Sequence, residues 1–326
     1  MGQASIPRRE LLISGALVGG VSSLAASAAA QSAIRLPVPG RFPIVVFSKH
    51  LHWASFSESA DILREIGAEG VDLTVRAGGH IEPERVSEEL PRAVEIFRKT
   101  GTPVAMITTD IKTVDSPHTK AILESAKSLG ISHYRWGDLP YEKGTPLPEQ
   151  LKALKPKISA LAKLNSSMGM TAMYHIHSGF NRMGTCVWDL WELIRDEDPN
   201  AVSFNYDIGH ATVEGGFGGW VNSMRLALPY MRGTAAKDFL WEKNKAGQWR
   251  PRWCPLGEGM VDWPGYFAML KQAKVPMPLQ LHLEYDELGA AGSGKKQLDI
   301  PKERVVGMIR RDLEKLKELR GKAGLG

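Results

Sequence analysis

Ile44-Val45-Val46-Phe47-Ser48-Lys49-His50-Leu51-His52-Trp53 is the stretch that decides between two folds sharing one element pattern. Its four leading apolar residues read as a buried strand, and the six residues after them discriminate. An open, doubly wound nucleotide-binding sheet wants a glycine-rich turn after its first strand, where backbone N–H groups cradle phosphate. Here the strand runs instead into a serine, a lysine, two histidines and a tryptophan, with no glycine among them. Working outward, the runs 44–47, 70–75, 103–107, 131–136, 171–176, 202–206, 231–236 and 279–283 read as strands. Between and after them, 57–66, 84–99, 120–129, 148–168, 187–195, 220–228, 263–273 and 304–320 carry helical patterns. Gly67, Gly101, Gly130 and Gly169 stand where helices end and a left-handed residue is wanted. Alternating β and α elements require a parallel sheet. Eight regular units without a split into two halves predict the α/β class and a single (β/α)8 TIM barrel.

The composition agrees. Of 326 residues, 43% are hydrophobic and 24% charged, which excludes disorder, collagen-like repeats and a small disulfide scaffold. A net charge of +5 with no basic block interleaved with aromatics argues against a nucleic-acid partner. The basic run 310–320 spaces Leu313, Leu316 and Leu319 as one face of a final helix. Residues 1–30 read as an export signal: Arg8-Arg9, a weakly apolar run over 11–26, then Ala28-Ala29-Ala30 before a cut at Gln31. The paired arginines resemble a twin-arginine leader, so a periplasmic or otherwise exported protein is expected, with residues 31–326 forming the barrel. The apolar run is too short and too rich in glycine and serine to span a membrane, so no stable membrane insertion is expected after cleavage. Cys186 and Cys254 are too few to make a disulfide framework.

In such a barrel the active site forms at the C-terminal ends of the strands. Seven of the nine histidines fall there: His50, His52, His80, His175, His177, His210 and His282. Asp207, Asp238 and Glu284 share that rim, and Lys237 precedes Asp238. His175 and His177, two apart on one strand, point the same way into the mouth. Imidazoles and carboxylates converging in this manner suit a divalent cation such as Zn²⁺, Mn²⁺ or Co²⁺. Asp72, with Arg76 beyond it, reads as structural more readily than catalytic, and His282 as a residue orienting Glu284. Trp53, Trp136 and Trp241 offer flat faces for a sugar, with core packing the competing role for Trp136.

The segments Tyr206-Asp207-Ile208-Gly209-His210, Lys237-Asp238, Pro255-Leu256-Gly257-Glu258-Gly259 and His282-Leu283-Glu284-Tyr285 together resemble the xylose isomerase-like TIM barrels. That superfamily holds sugar-phosphate isomerases and epimerases, ketose 3-epimerases, inosose dehydratases and apurinic endonucleases. The resemblance implies a divalent metal (Mn, Co, Zn or Mg) held by Glu, Asp, His and Glu on the fifth to eighth strands. Asp207 and Glu284 match two of these positions, whereas His175 and Ala235 stand where the first Glu and the His would be. The expected metal set is therefore His175, Asp207, His210 and Glu284, and the expected catalytic groups are His175, His177, Lys237 and Glu284. Expected substrate contacts are His50, Trp53, Arg76, His80, Trp136, Asp238, Trp241 and Glu258. The implied activity is that of an isomerase or epimerase working next to a sugar carbonyl through an enediolate. A keto-sugar dehydratase or lyase, or a non-catalytic sugar-binding barrel, is the alternative. Export, and the lack of a phosphate cradle or Arg/Lys cluster on the last two strands, favour a neutral carbohydrate as the small-molecule partner. Related barrels form dimers and tetramers, and no stripe here singles out an interface.

Overall fold

The computed structural model describes residues 42–273 and 275–325, so the expected leader lies outside the described residues. The barrel strands are β1 (Ile44–Phe47), β2 (Gly70–Val75), β3 (Val104–Thr109), β4 (His133–Trp136), β5 (Thr171–His175), β6 (Val202–Asp207) and β7 (Met231–Ala236). A hairpin of β8 (Asp238–Lys243) and β9 (Trp249–Cys254) comes next, and β10 (Leu279–Leu281) completes the barrel. The ring closes in the order β1-β10-β7-β6-β5-β4-β3-β2 with every barrel pairing parallel. This is the single (β/α)8 TIM barrel expected from the alternation of elements.

The helices are α1 (Phe56–Glu65), α2 (Val86–Lys99), α3 (Thr119–Ser128), α4 (Leu147–Met168), α5 (Trp188–Ile194), α6 (Ile208–Ala227), α7 (Trp263–Leu270) and α8 (Lys302–Lys322). Their apolar faces cover the outside of the sheet. In α2, for example, Val86, Leu90, Ala93 and Phe97 are buried, and each large side chain among them contributes about 1.5–3 kcal/mol. Inside the barrel a separate apolar floor consists of Val45, Ala105, Met106 and Met173. Above it the side chains turn polar, because strand residues two apart share a face. Asn205 reaches both His175 and Gln280 across the interior, so β5, β6 and β10 direct their alternate residues inward.

Two departures from the expected elements shape the site. The sixth helix is expected over 220–228, yet α6 begins directly at Ile208, with Asp207 capping it by accepting from the His210 amide at 2.9 Å. The glycines at 209, 215, 216, 218 and 219 hide this helix by lowering its propensity, and Gly216 breaks it with φ 54°. Gly209 has a packing reason: a Cβ there would lie 2.5 Å from Lys237 Cγ. The second departure is the β8–β9 hairpin. Exposed Glu242 and Lys243 and the proline Pro251 make its sequence read as a loop, but as an isolated two-stranded ribbon it tolerates a proline. Cys186 and Cys254 are both free thiols. Among the described residues no helix is long and apolar enough to cross a membrane.

Candidate active site

Lys237 leaves the end of β7 and is buried, with only 2% of its side chain exposed. Its Nζ donates to Glu284 Oε2 at 2.8 Å and to His210 Nε2 at 2.9 Å, and lies 3.5 Å from Asp207 Oδ2. Trp253 of β9 covers the ammonium, 4.7 Å from ring centroid to Nζ, and meets the His210 ring edge-on at 4.8 Å. A charge so enclosed is stable only when paired. Two carboxylates do this, but their proton affinities diverge. Burial would raise Glu284, yet Lys237 and Lys49 outweigh it and hold the carboxyl well below the usual range. Asp207 has no exposed surface; burial pushes it up to about 6, against the pull of Lys237.

Four imidazoles crowd the same space. His175 stacks on His282 at 4.8 Å, His177 meets His175 at 4.6 Å, and His210 lies 5.0 Å from His177. Burial, with Arg135 and Lys237 nearby, drives all four well below the usual histidine range, so they are uncharged and keep a lone pair. His175 Nε2, His282 Nε2 and Asp207 Oδ2 are buried without a hydrogen-bond partner, and these three residues offer ligand atoms all within 4.8 Å of one another. Asp207 Oδ2 lies 3.3 Å from His175 Nε2 and 3.5 Å from the Lys237 ammonium, and two neutral imidazoles beside a carboxylate are a donor set that fits a divalent cation. His175, His177 and His210 make a second such group. Behind His175, Asn205 Nδ2 contacts Nδ1 at 3.2 Å and donates to Gln280 Oε1 at 3.0 Å. Reversing both amides together makes Asn205 an acceptor for Nδ1–H, the tautomer that frees Nε2 for a metal.

The structure thus brings His175, His177, Asp207, His210, Lys237 and Glu284 together, but it does not group Glu284 with the metal-competent atoms. The Lys237 ammonium stands among them, meeting Glu284 and His210 and lying 3.5 Å from Asp207. His282, expected only to orient Glu284, stands with His175 and Asp207 instead.

Three of the expected substrate contacts, Asp238, Trp136 and His50, are buried in structural contacts. Asp238 is fully committed to structure: it accepts from the amides of Phe239, Gly257 and Val261 and from Trp263 Nε1 at 2.9–3.1 Å. Trp136 has no exposed surface and packs edge-on against Tyr174 at 5.2 Å, because its strand position points into the sheet–helix layer. His50 is buried and its Nε2 accepts from the Leu283 amide at 3.1 Å, so it braces the segment that carries Glu284. His80 packs against His52 at 4.9 Å, outside the cluster. Glu258 is exposed beside Gly257, where the chain abuts Lys315 of α8. Trp53 donates to the His50 carbonyl at 2.9 Å, and Trp241 is 38% exposed on the hairpin. Arg76 does stand at the mouth, 5.7 Å over the Phe47 ring.

Four residues of the mouth escape the sequence reading. Arg135 of β4 is buried and contacts His177 Nε2 at 3.2 Å. Asp138 lies 3.6 Å from both His177 Nδ1 and Arg135. Lys49 reaches Glu284 Oε1 at 3.4 Å, and Trp253 closes the roof over Lys237. Arg135 has a legible signal, since a lone arginine inside an apolar strand is expensive to bury without a task. Trp253 has none, because its contact depends on an unforeseen hairpin.

The family described as xylose isomerase-like TIM barrel matches residues 60–305. No curated protein is significantly similar to the chain. Solved structures are similar in fold at low identity. A D-psicose 3-epimerase with D-tagatose from Clostridium cellulolyticum H10 is 12% identical, with TM-score 0.63, over 85% of this chain and 99% of that one. The probable 3-DHS dehydratase of petrobactin synthesis from Bacillus anthracis is 15% identical, with TM-score 0.60, over 85% and 98%. The IOLI protein with a zinc atom is 12% identical, with TM-score 0.65, over 84% and 98%.

Proposed function

The chain belongs to the xylose isomerase-like TIM barrel family, and on that premise we propose that it is a sugar isomerase or epimerase that removes the proton next to a substrate carbonyl. The observation that carries this reading is the buried ammonium of Lys237, set 2.8 Å from Glu284 and covered by Trp253. A fixed cation in a dry pocket stabilises the oxyanion of an enediolate far better than water does. Glu284, with 27% of its side chain exposed, is the carboxylate of this group that a ligand can reach, and it is the base in this reading. It accepts the α proton while Lys237 donates a hydrogen bond to the oxygen that gains charge. If Glu284 returns the proton to the neighbouring carbon, while the hydroxyl proton passes to the former carbonyl oxygen, an aldose and a ketose interconvert. If instead Glu284 gives its proton to solvent and His177, whose Nδ1 lies 3.6 Å from Asp138, relays a solvent proton to the opposite face from β5, the product is an epimer. β4 and β10 stand opposite each other in the ring, which puts Asp138 and Glu284 on facing sides of the mouth. Expulsion of a β-hydroxyl from the same enolate, leaving as water with the proton that Glu284 holds, gives a dehydratase, an activity named for one structural relative.

His175, Asp207 and His282 would hold a divalent cation, whose chemistry is Lewis-acid polarisation of the substrate oxygens. The chain's own contribution is to keep the imidazole ligands deprotonated and to exclude water with Trp253. The test is α-proton exchange in deuterated water with a panel of keto-sugars, read by mass spectrometry. Exchange that disappears in Glu284→Gln is the expected result. No exchange with any keto-sugar, from protein that is folded and metal-loaded, overturns the reading.

A further inference from the structure

Three cations converge on one aromatic ring at the mouth. Lys49 Nζ, the Arg76 guanidinium and the Arg135 guanidinium lie 5.7, 5.7 and 5.9 Å from the centroid of Phe47. They come from the ends of β1, β2 and β4, well away in sequence from the last two strands, where a phosphate-binding cluster is sought in such barrels. Their neutralisation is incomplete. Lys49 shares Glu284 with Lys237, and Arg135 has Asp138 no nearer than 3.6 Å. Arg76 makes no ion pair within 4 Å among the described residues; burial and Arg135 lower its guanidinium from its usual value, against the pull of Asp110, Asp72 and Asp138.

The surroundings are open to a ligand. Cavities of about 520 and 530 Å³ adjoin here and share Arg76 and Asp110. The first adds Lys49, Lys295 and Lys296, and the second Lys112, Arg135 and Asp138, so cations outnumber carboxylates around both. The ring beneath the cations leads directly to the reaction centre. Phe47 stacks on His282 at 4.6 Å, and His282 on His175 at 4.8 Å. Lys49, which lines the first cavity, reaches Glu284 Oε1 at 3.4 Å, so a sugar whose carbonyl lies at Lys237 and Glu284 extends its far end toward these cations.

We propose that Lys49, Arg76 and Arg135 form an anion subsite, and that the substrate is a sugar carrying a carboxylate or a phosphate rather than the neutral carbohydrate expected from sequence. The proposal rests on the carbohydrate reading above and adds the charge of the substrate to it. Two guanidinium groups and an ammonium around an apolar face fit such a group well, since arginine pairs with carboxylate and phosphate through parallel N–H bonds.

Isothermal titration calorimetry of the full-length protein with D-glucuronate, D-glucose 6-phosphate and D-glucose tests this. At least one charged sugar is expected to bind about tenfold or more tightly than D-glucose, the worth of one charge-assisted contact. The preference should shrink as salt is raised. Arg76→Gln and Lys49→Gln should each reduce it severalfold, while Lys120→Gln, on the outer face of α3, leaves it intact. Circular dichroism of each variant shows that it is folded. The tighter of the two charged sugars identifies the anion. Equal affinity for all three sugars, no binding of either charged one, or a preference that survives both mouth substitutions overturns the proposal. Calorimetry reads binding without turnover, so the two readings fail separately. Charge preference without α-proton exchange removes the proposed reaction, and exchange without charge preference removes the subsite.

Discussion

Lys237 Nζ lies 2.8 Å from Glu284 Oε2, and this pair separates the chemistry of the rim from its metal-competent atoms. The ammonium binds the carboxylate that the sequence pattern assigns to a metal, so the two roles divide between neighbouring groups. Removing the ammonium leaves Glu284 and Asp207 without their shared cation in a buried site. Lys237→Met is therefore expected to slow α-proton exchange by about 100-fold or more, the usual cost of losing one oxyanion-stabilising donor. Exchange at the wild-type rate would show that the oxyanion is met elsewhere.

His282 and Glu284 are two residues apart but belong to different groups. His282→Ala should abolish tight binding of one equivalent of zinc, measured by metal analysis after dialysis. Glu284→Gln should retain it. In the wild type, added zinc should also raise the melting temperature, because an ion bound only by the folded state stabilises it. Loss of zinc in Glu284→Gln with retention in His282→Ala would restore the set expected from sequence.

Asp238 is expected to matter for stability. Its carboxylate ties the β8–β9 hairpin to the 257–263 segment through three donors, the Gly257 and Val261 amides and Trp263 Nε1. Asp238→Asn turns an NH2 group toward those donors and should cost roughly 2–4 kcal/mol in urea unfolding. Faster amide exchange across Trp249–Cys254 would accompany it. An unchanged urea midpoint would mean that the loop is held by other contacts.

Asp72 gives the protein a pH dependence opposite in sign to that of an ordinary paired carboxylate. Burial raises it from 3.8 to about 7, although Thr108 Oγ1 donates to both oxygens at 2.8 and 2.9 Å. The folded state thus binds more protons than the unfolded state between those two values, and stability falls as pH rises through that window. Asp72→Asn removes this term. The variant should gain on the wild type by roughly 1–4 kcal/mol between pH 5 and pH 8, compared by urea denaturation. A stability difference that does not change with pH would place the Asp72 proton affinity in the ordinary range.

The neighbourhood of His175 shows how far the site is legible. Its place at a strand end, two before His177, is readable because strand periodicity is local. Its partners are not. His282 directly succeeds β10, and Arg135 lies on the neighbouring β4. Asn205, which sets the environment of Nδ1, looks in sequence like any polar residue within an apolar strand.

The sequence by itself determined the barrel, its eight strand positions and the rim on which the chemistry stands, because these follow from short-range periodicity and from the strand–helix order. Tertiary structure alone decided which groups pair. It assigned Glu284 to Lys237, took Asp238 and Trp136 out of the site, and set Lys49, Arg76 and Arg135 around Phe47. The physical reason is that barrel closure juxtaposes residues far apart in the chain, such as Lys49 and Glu284. Burial then makes a few tenths of a nanometre decide whether a charge is a ligand, a base or half of an ion pair.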